Sequence, residues 1–350
     1  MPQLFTRRAA LSALAAAGSG LLLAACGSSG SDSSGSDSSG SDSSGAGSDG
    51  AGSGGAGSGG AGSGGASSGG TRTVRHARGE STVPQRAVRV VVLDTDALDS
   101  VVTLGITPVG ATTVSDGAPF SAYLPAARFA GTKPVGVIGQ PGLESIAALR
   151  PDLILSNQVR DDKRYDELSK IAPTVLTKTT GPAWKENFRL HAEALGRQTE
   201  AAAVEAEYQG KVRALVTALG GPEKTAATRV GMARFLAGAP TRLYLNDTFV
   251  GSVFRDLGVG RPANQDKPGF SLEISPEQVD QAAADVIFYS VYGDAAKSDH
   301  GRITEGALWR SLDAVRNGRV YQVDDNLWML GIGYTGAGLI LAQIRKDLVG

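Results

Sequence analysis

The stretch TEAAAVEAEYQGKVRALVTAL, residues 199–219, sets the architecture of this 350-residue chain. Its apolar side chains Val204, Tyr208, Val212, Leu215 and Leu219 recur at the spacing of one helix face. Thr199 stands where an N-cap belongs, Glu200 lies in the first turn where the helix dipole favours a negative charge, and Gly220-Gly221-Pro222 end the run. Such a helix is roughly 30 Å long, about the width of a small domain. Segments of similar size and pattern flank it, so it reads as a strut between two lobes, with Gly210 the residue that weakens its middle.

Outward from the strut, the first residues do not belong to the fold. Arg7-Arg8 precede an uncharged, Ala- and Leu-rich run over 9–25, which reads as a secretory signal, residues 1–25. The run is marginal for a membrane span and no charged stop-transfer segment follows. Leu23-Ala24-Ala25-Cys26 resembles the lipobox of bacterial lipoproteins, which implies cleavage before Cys26 and acylation of its thiol. Cys26 is the only cysteine in the chain. The paired arginines leave the general and twin-arginine export routes both open. Residues 26–70 are almost wholly Gly, Ser, Ala and scattered Asp, too poor in apolar surface to offset the entropy of ordering. They form a tether with a reach on the order of 35 Å.

The chain carries 34 Lys and Arg against 35 Asp and Glu, a formal net charge of −1. That balance gives no basic surface for nucleic acid. The remaining body is long enough for two compact lobes, 71–198 and 220–350 around the helix 199–219. Strands are expected at 89–93, 108–111, 135–138, 153–155 and 174–176 in the first lobe, and at 229–235, 285–289 and 319–323 in the second. Helical segments, 97–104 and a terminal 337–348 among them, alternate with these strands. The class is therefore α/β, with a central, mainly parallel sheet in each lobe.

A fragment recurs in both lobes. Glu144-Ser145-Ile146 leads to Asp152-Leu153-Ile154-Leu155, and Glu277-Gln278-Val279 leads to Asp285-Val286-Ile287-Phe288. Each places a glutamate in the first helical turn ahead of a buried strand. A looser echo, Leu104-Gly105-Ile106 and Leu257-Gly258-Val259, ends a helix in each lobe.

With these residues in hand, the chain from about Arg86 to its end resembles the iron-siderophore and cobalamin-type substrate-binding proteins of ABC importers. The resemblance rests on the order of Leu143-Glu144-Ser145-Ile146 with Leu149-Arg150-Pro151-Asp152; Ile171-Ala172-Pro173-Thr174; Arg234-Phe235 with Arg242-Leu243-Tyr244; and Leu308-Trp309-Arg310-Ser311-Leu312 with Gly318-Arg319-Val320-Tyr321. It implies two lobes joined by one rigid helix, a ligand cleft between them and limited closure. It further implies that Glu144 and Glu277, one per lobe, dock into basic pockets of a permease dimer. In the siderophore branch arginines and aromatics line the cleft, because guanidinium forks bond chelating oxygens and ring faces cover the organic skeleton. Arg234, Arg242, Tyr244, Trp328 and Tyr334 match such positions. Trp184 reads either as a cleft residue or as packing, and Trp309 reads as packing. Loops beyond strand ends nominate Gln140, Asn157, Gln158 and Arg160.

The expected function is thus a lipid-anchored receptor on the outer face of the cytoplasmic membrane. It would act as a monomer, capturing a ferric siderophore of the hydroxamate or mixed hydroxamate class for an ABC permease. Haem or cobalamin stands as the alternative ligand. No resident cofactor or metal site is expected, and iron arrives already chelated. A surface-anchored hydrolase is the enzyme rival, but His76, His191 and His300 have no nucleophile setting and no G-x-S-x-G elbow is present.

Overall fold

A computed structural model describes residues 70–350. The signal 1–25, Cys26 and the linker up to residue 69 lie outside the described residues. The body opens on a hairpin that periodicity did not reveal, β1 (Thr71–His76) and β2 (Gly79–Pro84). Arg72 on β1 donates to the carbonyls of Glu193 and Ala194, both at 2.8 Å, and so satisfies the last turn of the helix Trp184–Leu195.

The first lobe holds β3 (Val90–Val92), β4 (Gly110–Thr113), β5 (Lys133–Val137), β6 (Gln140–Pro141), β7 (Leu153–Asn157) and β8 (Thr174–Thr177) in the order β6-β5-β4-β3-β7-β8. All pairs are parallel except β5 with β6. Every residue of β3, β4, β7 and β8 is buried, as a parallel sheet covered on both faces requires. The second lobe holds β9 (Val230–Leu236), β10 (Ala239–Tyr244), β11 (Ser271–Ile274), β12 (Val286–Tyr292) and β13 (Val320–Gln322) in the order β11-β10-β9-β12-β13. Here the expected parallel sheet is only half of the answer: β9, β12 and β13 run parallel, whereas β10 and β11 are antiparallel additions. Gly238, at φ +72°, closes the β9–β10 hairpin in a conformation that few other residues adopt.

The internal repeat has a structural basis. Asp152 accepts the N–H groups of Val88 and Arg89 at 2.9 Å, and Asp285 accepts that of Arg229 at 2.8 Å. Each aspartate thus ties the strand it precedes, β7 or β12, to the start of the neighbouring β3 or β9. The helix endings match as well. The N–H of Ile106 bonds the carbonyl of Val101 at 3.0 Å, and that of Val259 bonds Phe254 at 3.3 Å, each around a left-handed glycine, Gly105 or Gly258.

The strut is one continuous helix, Gln198–Ala218, and Gly210 does not interrupt it. It begins one residue before Thr199, with Arg197 at the cap position. The reason is local: Gly196, at φ +67°, ends the preceding helix, so only two residues separate the helices, and Arg197 pairs with Glu200 at 2.7 Å. Tyr208, Val212 and Leu215 are buried along it, as the spacing predicts. Around Tyr208 the lobes meet in a nest of rings. Trp184 lies edge-on to Tyr334 at 4.6 Å, Tyr208 at 5.5 Å and Phe249 at 5.6 Å between centroids, and Phe188 lies 4.7 Å from Tyr334. Such edge-to-face pairs each add about 0.5–1.5 kcal/mol beyond the area they bury. Polar ties cross at the same place: Trp184 Nε1 donates to Ser252 Oγ at 2.7 Å, while Asp256 accepts Lys185 Nζ at 2.5 Å and Tyr208 Oη at 2.8 Å.

The terminal helix, Tyr334–Leu348, starts earlier than its apolar periodicity indicates because the first lobe caps it. Asp99, fully buried on the helix Thr95–Thr103, accepts the N–H groups of Thr335 at 3.2 Å and Gly336 at 3.1 Å. The C-terminal segment therefore binds both lobes rather than belonging to the second alone. Two more buried groups sit on or against the helix Thr95–Thr103. Burial, then the charge of Asp94, pushes the Asp96 carboxyl up to about 7, and burial holds the His191 imidazole down to about 3.

The Asp96 proton has a consequence for stability. The folded chain keeps a proton that the unfolded chain releases near its ordinary 3.8. This stabilising contribution is complete below that value and is lost as pH rises towards 7. Asp96→Asn, which keeps the acceptor for Asn187, should therefore gain stability relative to the parent as pH rises, by at most about 1.4 kcal/mol per pH unit. Urea midpoints at mildly acidic and neutral pH measure this; equal pH slopes for the two proteins would contradict it.

Candidate functional site

Beyond the carboxyl ends of β3, β7 and β8 the first lobe faces the second across a cavity of about 430 Å³. The first lobe contributes Asp94, Thr95, Ile138, Arg160 and the loop Thr179, Thr180, Gly181 and Pro182. The second contributes Arg234, Tyr244, Asp247, Thr248, Phe249, Val250 and Phe270, with Trp328, Met329, Leu330 and Ile332 from the segment before the terminal helix. A wider groove of about 640 Å³ runs along the strut and terminal helix and is lined by Arg128, Lys211 and Arg345, but none of its lining residues follows the carboxyl end of a strand. Position at the strand ends therefore favours the smaller cavity.

Two arginines in this cavity are built alike. Asp94 lies two residues past β3 and caps the helix Thr95–Thr103, its Oδ1 accepting the N–H of Thr95 at 2.7 Å. Its Oδ2 accepts Asn157 Nδ2 at 2.7 Å and Arg160 Nε at 3.0 Å. Asn157 in turn caps the short helix Gln158–Asp161 by accepting the N–H of Arg160 at 3.1 Å. The inner edge of the Arg160 guanidinium is thereby fixed, and its side chain stays 40% exposed towards the cleft. In the second lobe Asp325 grips Arg234 with both oxygens, at 2.7 Å to Nε and 2.5 Å to Nη2, and Ser290 Oγ donates to Asp325 at 2.8 Å. Arg234 Nη1 donates to Tyr244 Oη at 3.2 Å, and the guanidinium lies 4.6 Å over the Tyr292 ring. Burial alone would lower the Arg234 pKa, but the Asp325 carboxylate outweighs it and holds the group above its ordinary value.

Of the residues singled out in the sequence, Arg160, Arg234, Tyr244 and Trp328 line this cavity. The others lie elsewhere. Trp184 is buried in the ring nest between the lobes with its indole N–H bonded to Ser252, and Tyr334 belongs to the same nest and lines the wider groove instead of this cavity. Asn157 is fully buried and acts on the cleft only through Asp94 and Arg160. Gln158 turns away to the carbonyl of Ala77 and to Asp162, both at 3.2 Å. Gln140 is an exposed edge-strand residue outside the cavity, although its neighbour Ile138 reaches it. Arg242 lies opposite Arg234 on β10 but pairs with Glu273 across to β11 at 3.1 Å. Trp309 packs with Phe235 and Tyr289 in the second-lobe core.

Sequence reasoning passed over Asp94, Asp247, Phe249, Phe270, Met329 and Asp325. Asp94 carried the strand-end signal that nominated Asn157; Asp325 carried none, since its partner lies 91 residues away. Glu144 is exposed and takes part in no ion pair of the described residues, whereas Glu277 pairs with Arg302 at 2.6 Å, both side chains about two-thirds exposed at 67% and 64%. The three histidines are dispersed: His76 bonds Ser81, His191 is buried on Ser100, and His300 stacks on Tyr289. Among the described residues no three or more His, Cys, Asp or Glu are grouped as metal ligands, and no described helix is long and apolar enough to cross a membrane.

The cavity can thus enclose a compact ligand between ring and methylene surfaces while two fixed guanidiniums bond its oxygens. Comparison with known proteins agrees with a binding role. A family model described as periplasmic binding protein matches residues 90–327. The probable siderophore-binding lipoprotein YfiY of Bacillus subtilis is 37% identical over 79% of this chain and 87% of its own length. The Fe(3+)-citrate-binding protein YfmC of the same organism is 30% identical over 74% and 80%. Among solved structures, Staphylococcus aureus SirA complexed with staphyloferrin B superposes with a TM-score of 0.71 at 32% identity, covering 79% of this chain and 98% of SirA. The chain belongs to the periplasmic binding protein family, and it is a binding protein rather than an enzyme.

Proposed function

We propose that this chain is a membrane-tethered receptor, anchored through an acylated Cys26, that captures a ferric siderophore of the hydroxamate or mixed hydroxamate class and delivers it to an ABC permease. The observation that carries the reading is the pair of arginines, one from each lobe, each held at Nε by a carboxylate and lining the same cavity. A ferric chelate presents partly negative oxygens around the metal and apolar edges outside, and planar guanidinium donors with aromatic walls complement both. The printed names of the relatives, siderophore-binding and Fe(3+)-citrate-binding, support a ferric chelate as the ligand.

Delivery would use Glu144 and Glu277, which project from equivalent first turns of the two lobes. Exposed carboxylates of this kind contribute little to stability and more to docking register. The two are not equivalent in the free protein, because a basic pocket on the permease must displace Arg302 from Glu277, whereas Glu144 is ready to pair.

Binding is tested by titrating the protein with ferric hydroxamate, citrate and catecholate chelates while following tryptophan fluorescence, to which Trp328 on the cavity wall should respond. Quenching by one class is expected; silence across the panel would overturn the reading. Arg234→Ala should weaken binding more than about tenfold, as expected for a charge-assisted contact of roughly 1.5–3 kcal/mol, and unchanged affinity would remove Arg234 from the contact surface. The double variant Glu144→Ala with Glu277→Ala should keep chelate affinity and lose uptake into cells. Loss of chelate affinity instead would show that the glutamates act through the fold.

A further inference from the structure

The charges around the cleft cancel almost completely. Four charged side chains line it: Asp94, Arg160, Arg234 and Asp247. Arg160 is neutralised by Asp94 at 3.0 Å, and Arg234 by Asp325 at 2.5 Å. Neither guanidinium therefore offers the ligand an uncompensated positive charge; both offer N–H donors at the end of an ion pair. The charge left over is negative. Asp247 is exposed at the cavity, takes part in no ion pair of the described residues, and uses one oxygen, Oδ2, to accept the N–H of Gly269 at 2.7 Å. The exposed ring of Phe270 stands beside it in sequence next to that glycine, and with Phe249 and Trp328 supplies apolar wall.

Resting on the ferric-siderophore reading, we infer that the chelate selected here carries little net charge, and that Asp247 is the residue that sets this selectivity. A ferric ion held by three hydroxamates is neutral, because three single negative charges cancel the metal. Ferric complexes of catecholates or citrate keep an excess of negative charge. A polyanion would approach Asp247 with no unpaired cation among the residues lining the cavity to offset the repulsion, whereas a chelate with a pendant ammonium group would gain a partner in the oxygen of Asp247 that Gly269 leaves open.

The test uses the full chain with its anchor cysteine changed, Cys26→Ser, and four probes at low and high ionic strength. Ferrioxamine E is a neutral trihydroxamate and ferrioxamine B adds one free ammonium; ferric dicitrate and ferric enterobactin are polyanions. Both ferrioxamines should bind at least about tenfold more tightly than either polyanion, and salt should weaken ferrioxamine B more than ferrioxamine E. Asp247→Asn, which keeps an acceptor for Gly269, should lower the ratio of ferrioxamine B to ferrioxamine E affinity. Asp247→Lys should raise ferric dicitrate affinity by about tenfold. Tighter binding of a polyanion by the parent, or unchanged selectivity in both variants, overturns the charge inference while leaving a siderophore receptor. Binding of none of the four probes overturns the siderophore reading and this inference with it.

Discussion

Trp184 stands where the two lobes, the strut and the terminal helix meet, and the rest of the molecule is arranged about that contact. Its ring is only 1% exposed and touches Tyr208 of the strut, Phe249 of the second lobe and Tyr334 of the terminal helix. Its N–H is satisfied across the lobe boundary by Ser252. One hydrophobic core accordingly runs through both lobes, from Val74 to Ile344, beside a smaller separate core in each. Because Phe249 belongs both to this nest and to the cavity wall, the floor of the cleft is continuous with the joint. A packed joint of interlocking rings is bistable at best and not freely deformable, so the motion it permits is a small rocking of the lobes.

On that fixed floor the site uses the same device twice. A carboxylate after or near a strand end, buried for Asp94 and partly buried for Asp325, takes the Nε edge of an arginine, and a neighbouring polar side chain, Asn157 or Ser290, completes the carboxylate's bonds. The carboxylate removes rotamer freedom from a long side chain before any ligand arrives, which lowers the entropic cost of binding. It also cancels the charge, so what is presented is a pattern of donors. The recurrence parallels the deeper likeness of the lobes, where Asp152 and Asp285 tie equivalent strands together.

Much of this was legible in the chain. Helix periodicity located the strut to within one residue at each end, and the short β-branched runs located the parallel strands, because both patterns are imposed by burial and leave a local record. Antiparallel β10 and β11 left a weaker one: Arg242 and Glu273 are partly exposed, and β10 reads as a continuation of β9 unless Gly238 is given its left-handed turn. The site divided in the same way. Arg160 was found by its place after a strand and Arg234 by resemblance, but their carboxylate partners are distant in sequence, 66 and 91 residues off, and no local pattern records such pairings. Trp184 and Tyr334 misled for a related reason. An aromatic near a cleft has the same residue type whether it faces a ligand or the joint beneath it, and only the three-dimensional neighbours decide.

On this arrangement the ring nest holds the lobes nearly fixed while a ligand enters between two preset arginines. The spacing of Glu144 and Glu277 reports on it most directly. Spin labels at these positions, introduced as Glu144→Cys and Glu277→Cys with Cys26→Ser, would be measured by pulsed electron resonance without ligand and with a gallium(III) trihydroxamate, a diamagnetic stand-in for the ferric complex. A single distance distribution whose mean moves by less than its own width is the result predicted. Two separate distributions, one replaced by the other on binding, would contradict a rigid joint and require a true hinge between the lobes.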